Sequence, residues 1–357
     1  LIYYGVYYLA IASGYYLFYK ENRIKNYLIS KINLLNDAPK QNYSIFKNII
    51  IGIIFLICLV IIFSVPIEYL KNPRILYENT RLGFGHIYFL LSMLLNIYFI
   101  FAMFTEKKYY YMIIVFILLY FTGSKSRMLL PIEMFFLYYF YVRNDDRSNI
   151  KKILLWGAGI IVIFIGVFSI TSYYLPEKNL TTIINTLANY SDYNRNFIQL
   201  IDKLAETKQY FHGIISVENN FVSLIPRVIW ENKPTIFGSF RLSYMIYPEW
   251  TLLFQGAPSF GTFGSLFADF GHISLVVIAI YNFIIGGLIA VSEEIFVNKK
   301  NPITFMIFII FMGILLVDIG ISATSILVIN LIFVFIMYFS LIFIGKVIKK
   351  YINNTKN

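Results

Sequence analysis

The residues with most chemistry to offer stand in one stretch, 176–269, among apolar and aromatic sequence. Its candidate cations are Arg195, Lys203, Lys208, Arg227, Lys233 and Arg241, and its candidate carboxylates are Asp192, Glu218, Glu231, Glu249 and Asp269. Arginine forks match pairs of phosphate oxygens, so cations of this kind suit a diphosphate. A carboxylate held within hydrogen-bond reach suits the role of general base toward a sugar hydroxyl. Each cation taken alone reads equally well as a solvated loop charge or a headgroup anchor. Lys203 and Lys208 fit that plainer reading best, on the polar face of an expected helix. Arg227 and Lys233 fit it least, because they bracket Trp230 and run into Pro234. Asp269 lies where the stretch returns to strongly apolar sequence. A charge there is costly unless paired or functional, and the position also suits an N-cap for the helix from Phe270. His212 before Gly213 reads as ligand, base or ordinary loop histidine, while His272 and Asp318 read as structural. The histidines His86, His212 and His272 are too widely spaced for zinc, and the single cysteine, Cys58, gives no disulfide framework.

The elements that must position these residues are membrane helices. The chain is 59% hydrophobic and only 14% charged, with a mean hydropathy of +0.69, whereas a soluble domain is about a quarter charged. Apolar runs at 1–19, 48–66, 83–104, 109–122, 128–142, 153–175, 270–292, 302–317 and 322–344 predict an all-α polytopic membrane protein of about nine spans. The fourth, fifth and eighth are short, and the fourth and fifth flank Gly123–Arg127 as a candidate hairpin. Helix is chosen over strand because a backbone in lipid must close its own hydrogen bonds. Three regions follow: N-terminal spans over 1–175, a long external loop over 176–269, and C-terminal spans with a basic tail over 270–357. The sequence starts at Leu1 inside an apolar run with no basic segment before it. This predicts a missing N-terminal part and no cleavable signal peptide.

Lys and Arg set the orientation. Alternate loops (20–47, 106–108, 143–152, 293–301 and the tail from 346) hold 18 of them, against 12 in the other set, most of whose length is 176–269. The positive-inside rule puts the C-terminus in the cytoplasm and 176–269 outside, with Lys125 and Arg127 on that same external side. The net charge of +11 is therefore a matter of topology and not of nucleic-acid binding. Within the loop, 181–207 predicts an amphipathic helix or two, with Leu187, Ile198, Ile201 and Leu204 on one side and Asp192, Asp202 and Glu206 on the other. Pro226, Pro234, Pro248 and Pro258, with Gly238, Gly256, Gly261 and Gly264, then break the chain into turns and short helices. Trp230 and Trp250 beside Tyr244 and Tyr247 suit an interfacial belt.

The run Phe221-Val-Ser-Leu-Ile-Pro-Arg-Val-Ile-Trp-Glu-Asn-Lys-Pro234 resembles the external-loop motif of the Wzy-type bacterial oligosaccharide repeat-unit polymerases. Pro258-Ser-Phe-Gly-Thr-Phe-Gly-Ser-Leu-Phe-Ala-Asp-Phe-Gly271 is similar to that family's Gly-rich entry into the next span, and Thr122-Gly-Ser-Lys-Ser-Arg127 to its mid-chain Arg motif. The order of features matches over residues 84–345. Ser265 departs from a frequent Glu, and Ser274 from a frequent Gly. The resemblance implies a GT-C-like architecture in the bacterial inner membrane, serving O-antigen or capsule synthesis. It also implies a glycosyltransferase that moves a growing glycan from undecaprenyl diphosphate onto an incoming lipid-linked repeat unit, with a chain-length regulator as a further partner. On the same ground Arg195, Arg227 and Lys233 are the expected catalytic contacts to diphosphate or glycan. Arg127, Lys125, Arg241, Glu218, Trp230 and Asp269 are expected to bind substrate. No Asp-x-Asp cluster is present, so no metal or other cofactor is expected. The rival readings are a lipid-linked oligosaccharide flippase, which calls for buried charges and an internal repeat, and an O-antigen ligase-like transferase.

Overall fold

The computed structural model describes residues 2–20, 23–33, 40–66, 73–106, 110–120, 125–143, 193–207, 209–227, 229–254, 260–317 and 324–354, with isolated positions at 155, 158, 159 and 162. Regular structure among the described residues is entirely helical. In chain order the helices are α1 (Ile2–Tyr19), α2 (Arg23–Asn33), α3 (Lys40–Ser64), α4 (Pro73–Glu106), α5 (Tyr110–Tyr120) and α6 (Lys125–Tyr138, closed by a π turn over Tyr139–Arg143). In the loop region come α7 (Tyr193–Thr207), α8 (Ile214–Asn220), α9 (Ser239–Ile246), α10 (Pro248–Phe254) and α11 (Gly261–Phe270). Then follow α12 (Ser274–Lys299), α13 (Pro302–Val317) and α14 (Thr324–Asn354).

Four helices among the described residues are long and apolar enough to cross a bilayer: Asn42–Ser64, Gly85–Glu106, Phe263–Lys299 and Thr324–Val347. They match four of the nine expected spans within a few residues, except that the third begins earlier and ends later. The other expected spans differ for separate reasons. Seven tyrosines dilute the hydropathy of α1. The described part of helix α5 covers 11 residues, against the roughly 20 that a bilayer core needs. The apolar stretches Leu130–Val142 and Pro302–Gly313 are short, and most of 153–175 lies outside the described residues.

The chain divides into two compact units, one formed by Leu1–Asn36, Ile184–Lys299 and Ile307–Phe335, the other by Asp37–Ile183, Lys300–Met306 and Ile336–Asn357. In the first, α1 lies along α12 so closely that a Cβ on Gly14 would strike the Phe283 carbonyl. A Cβ on Gly286 would strike the backbone of Ile11 and Tyr15. Close backbone approach at small residues is how helices associate in lipid, where burial gives no hydrophobic gain. Polar ties close the far end of the pair: Tyr15 donates to Glu293, and Lys25, itself buried, meets Glu294 at 2.9 Å. Val276, Ile280 and Ile284 form an exposed apolar stripe on α12, with Ile273 exposed just ahead of it, as a lipid-facing side requires.

In the second unit α3 packs on α4, and buried Lys47 pairs with Glu106. Asn42 donates to the Leu341 carbonyl at 3.3 Å, and the Tyr138 hydroxyl to the Met103 carbonyl at 3.0 Å. Residues 301–304 show why α13 starts where it does. Asn301 Oδ1 accepts from the Thr304 amide at 2.9 Å, and Pro302 fills the first helical position.

Candidate functional site

The candidate residues of the long loop rest on a platform in the first unit. Helix α7 is amphipathic and turns Leu200 and Leu204 inward against Ile215, Leu242, Phe260, Phe267 and Ala268, with Phe197 and Ile201 at the edge. The sequence placed Ile198 on that face, but it is exposed. The 3.6-residue period runs through 197, 200, 201 and 204 instead. Leu187 and Asp192 lie outside the described residues. Tyr3 of α1 meets Phe197 edge-on at 5.2 Å, and the Tyr247 hydroxyl reaches Asn196 Oδ1 at 3.2 Å and Gln199. The platform is thus fixed to α1 on one side and to the α9–α10 junction on the other.

Asp269 is completely buried. Its Oδ1 accepts from the Ile215 amide at 2.9 Å, and its Oδ2 from the Ser216 amide at 2.8 Å and the Ser216 hydroxyl at 2.6 Å. It does cap a helix, but that helix is α8, more than fifty residues earlier in the chain, and not the span that follows. Amides at a helix N-terminus have no partner within the helix, so a carboxylate is well suited to satisfying them. The His212 amide bonds to the Asp269 carbonyl at 3.0 Å, while the exposed His212 itself sits at φ 50, a left-handed conformation uncommon for a side-chain-bearing residue.

The C-terminal end of α8 organises what comes next. Glu218 forms a two-bond fork with Arg241, with Nε to Oε2 and Nη2 to Oε1 both at 2.7 Å. It also accepts from the Gly238 amide at 2.6 Å. Asn219 Oδ1 accepts from the Ser239 amide at 3.0 Å, so neighbouring side chains together cap α9. Gly238 is at φ 54, and a Cβ there would collide with Asn219, so only glycine fits the bend. Asn220 Oδ1 accepts from the Ser325 amide at 2.9 Å, in the first turn of α14. Burial alone would push the Glu218 carboxyl up. The Arg241 hydrogen bonds, the Gly238 amide and the Arg241 charge outweigh it and hold the carboxyl below the usual carboxylate range. The Glu218 bonds in turn hold Arg241 above its ordinary value.

Between α8 and α9 the Ile-Pro-Arg and Lys-Pro residues grip their own loop. Arg227 Nη1 donates to the Lys233 carbonyl at 2.7 Å and Nη2 to the Pro234 carbonyl at 3.2 Å. Lys233 is 8% exposed. Its ammonium donates to the Ile225 carbonyl at 2.9 Å and the Ser223 carbonyl at 3.5 Å, and lies 4.7 Å over the Phe237 ring. Burial first, and the Arg227 charge second, push the Lys233 ammonium below its usual range. Arg227 and Lys233 hold the loop shut through neutral carbonyls, with no ion pair to either cation among the described residues. Arg227 keeps three further N–H donors, since a guanidinium carries five and two are used.

The structure therefore brings the named residues together as two pairs, Arg227 with Lys233 and Glu218 with Arg241. Arg195 is exposed on the first turn of α7, and Trp230, Glu231 and Glu249 are exposed. Lys203 makes an exposed pair with Glu206 at 3.2 Å. Lys125 and Arg127 begin α6, with side chains outside the described set, as are the side chain of Trp250 and the residues Lys208 and Asp318. Sequence reasoning passed over Ser216, Asn219 and Asn220, and it read Tyr247 as a belt residue where its hydroxyl ties α7 to the α9–α10 junction. The signal for the asparagines was present: Glu218-Asn-Asn220 is a polar triplet directly before the apolar Phe221 motif. Among the described residues there is no group of three or more His, Cys, Asp or Glu able to hold a metal.

The chain is similar to the O-antigen polymerase of Salmonella typhimurium, with 30% identity over 312 residues covering 85% of this chain and 74% of that protein. It is equally similar to the O-antigen polymerase of Salmonella typhi, with the same identity and coverage. No family model matches the sequence, and no solved structure matches it.

Proposed function

This chain belongs to the O-antigen polymerase family, and from that membership we propose that it joins lipid-linked oligosaccharide repeat units into polymer on the outer face of the bacterial cytoplasmic membrane, with its C-terminus inside. The growing glycan leaves undecaprenyl diphosphate and is transferred to the incoming, still lipid-linked unit. The bond from the donor's anomeric carbon to the diphosphate breaks, and a glycosidic bond to the acceptor hydroxyl forms. The diphosphate takes the bonding electrons, and the hydroxyl loses its proton. The observation that carries this reading is the Arg227–Lys233 pair, two cations held in a rigid loop with no carboxylate to neutralise them among the described residues.

Negative charge grows on the leaving diphosphate, and preorganised cations stabilise it most where they need not reorganise. Arg227 offers its three unused N–H donors, and Lys233, nearly buried, fixes the loop and adds positive field. Arg195 is the third proposed contact, with Lys125 and Arg127 as further binding groups and Trp230 as a face for a sugar ring. Glu218 and Arg241 neutralise each other and act by positioning α9, as Asp269 does for α8. Both Glu218 oxygens are already engaged by Arg241 and the Gly238 amide, so another group is proposed as the general base.

Deletion of the gene tests the reading. A polymerase mutant keeps surface glycan of single repeat units and loses the ladder of longer chains on a gel. Loss of the single units as well contradicts polymerisation and points to a flippase. Complementation with Arg227→Ala at normal expression is expected to leave the ladder absent. Arg227→Lys is expected to restore little of it, because an ammonium cannot bridge two carbonyls and a phosphate in one plane.

A further inference from the structure

Helix α8 is tied at both ends to the heads of membrane spans. At its start, the Ile215 and Ser216 amides bond to Asp269, in the first two turns of the long apolar stretch Phe263–Lys299 that continues into α12. At its end, Asn220 bonds to the Ser325 amide in the first turn of α14. Both spans carry lysines at their other ends, Lys299 on α12 and Lys346, Lys349 and Lys350 on α14. The two heads therefore belong to the same, non-basic side of the membrane. A short helix tied to both is thereby fixed relative to the two spans.

The exposed side of this segment is apolar. Ile214, Val217 and Phe221 follow at helical spacing and are 50%, 55% and 66% exposed. The stripe continues past the helix through Ile225 and Ile229, the latter 77% exposed, to the half-exposed Trp230. Isolated exposed apolar residues are ordinary, but a continuous run beside cations and an indole is the pattern of a surface that dips into a bilayer. An indole and flanking Arg or Lys prefer the headgroup level.

We propose that the apolar edge formed by Ile214, Val217, Phe221, Ile225 and Ile229 is inserted into the outer leaflet of the bilayer itself, as a permanent interfacial anchor. The bilayer is the occupant because both tie points stand at span heads, which fixes the depth of α8 whatever else is bound. This deepens the reading above, and rests on it for the naming of the outer leaflet. The anchor sets the Arg227–Lys233 loop at the level where the diphosphate of a tail-anchored substrate must lie.

The full chain in a Cys58→Ala background, with a single nitroxide at Val217→Cys, Phe221→Cys or Ile229→Cys, tests this in phosphatidylethanolamine–phosphatidylglycerol vesicles without substrate. Collisions with oxygen are expected to exceed those with a water-soluble nickel complex several-fold at all three sites. A label at Glu206→Cys, on the polar face of α7, gives the reverse. Nickel-dominated collisions at 217, 221 and 229 overturn the proposal. So does a lipid-like signal that arises only after lipid-linked repeat units are added, because the edge is then a seat for the substrate's tail. All three sites are exposed, so failure of one variant to fold leaves the other two to decide. No activity is read, so failure of the polymerase reading and failure of the anchor are distinguishable.

Discussion

At the scale of single residues, the loop is held by charges that satisfy backbone groups. Asp269 gives the sharpest case, because it was expected to bind substrate and its carboxylate accepts three hydrogen bonds from the start of α8. Asp269→Ala leaves a buried amide, a half-buried amide and a hydroxyl without this acceptor and is expected to cost about 1–3 kcal/mol, read as a lowered unfolding temperature in detergent. Asp269→Asn keeps an acceptor and is expected to lose less stability and to retain polymer. A lost ladder at unchanged stability in Asp269→Asn instead assigns the carboxylate to the substrate. Glu218 predicts a pH dependence. Its folded value lies below the ordinary carboxylate range, so its contribution is complete above about pH 4.3 and is lost as pH falls through the lower, folded value. Hydrogen exchange over 216–241 is expected to stay slow down to that range and to rise below it, and Glu218→Gln should be fast at neutral pH already. The Arg227, Trp230 and Lys233 motif was legible in the sequence as a cluster. Its inward hydrogen bonding to carbonyls was not, because which donor meets which carbonyl depends on a turn that no residue pattern states.

At the scale of elements, the helices divide by how plainly the chain announces them. Apolar runs of bilayer length announced α3, α4, α12 and α14, since a hydrophobic stretch free of charge has few other fates. Helix α1 is different: its tyrosines weaken the hydropathy signal, and it is secured by contact with α12 through Gly14 and Gly286. Gly286→Ala is expected to force α1 and α12 apart and to destabilise the detergent-solubilised protein by about 1–3 kcal/mol, as overpacking does. Gly52→Ala, with nothing within 4 Å of its added methyl, is expected to change little. Equal melting curves for the two variants would contradict the close crossing. The face of α7 was half legible: Leu204 was placed correctly and Ile198 was not. The side that turns inward is decided by Phe267 and Leu242, which arrive from later in the chain.

At the scale of the whole molecule, the multi-pass membrane character was readable from composition alone. The family was readable from three short motifs, and 30% identity across 85% of the chain agrees with them. What composition left hidden is how a loop of mixed polarity keeps a fixed position above its spans. Ties distant in sequence do this: Asp269 to α8, Glu218 and Asn219 to α9, Asn220 to α14. None of these has a local signature, because each joins residues brought together only by the fold. The central claim is that this assembly polymerises lipid-linked repeat units. The most direct measurement uses the purified full chain in vesicles with a repeat unit on undecaprenyl diphosphate as sole substrate, followed by gel and by release of the free lipid diphosphate. The account predicts a ladder of chains with lipid diphosphate released at each added unit, and neither product with Arg227→Ala. Substrate recovered unchanged by protein that is folded and membrane-inserted would contradict it.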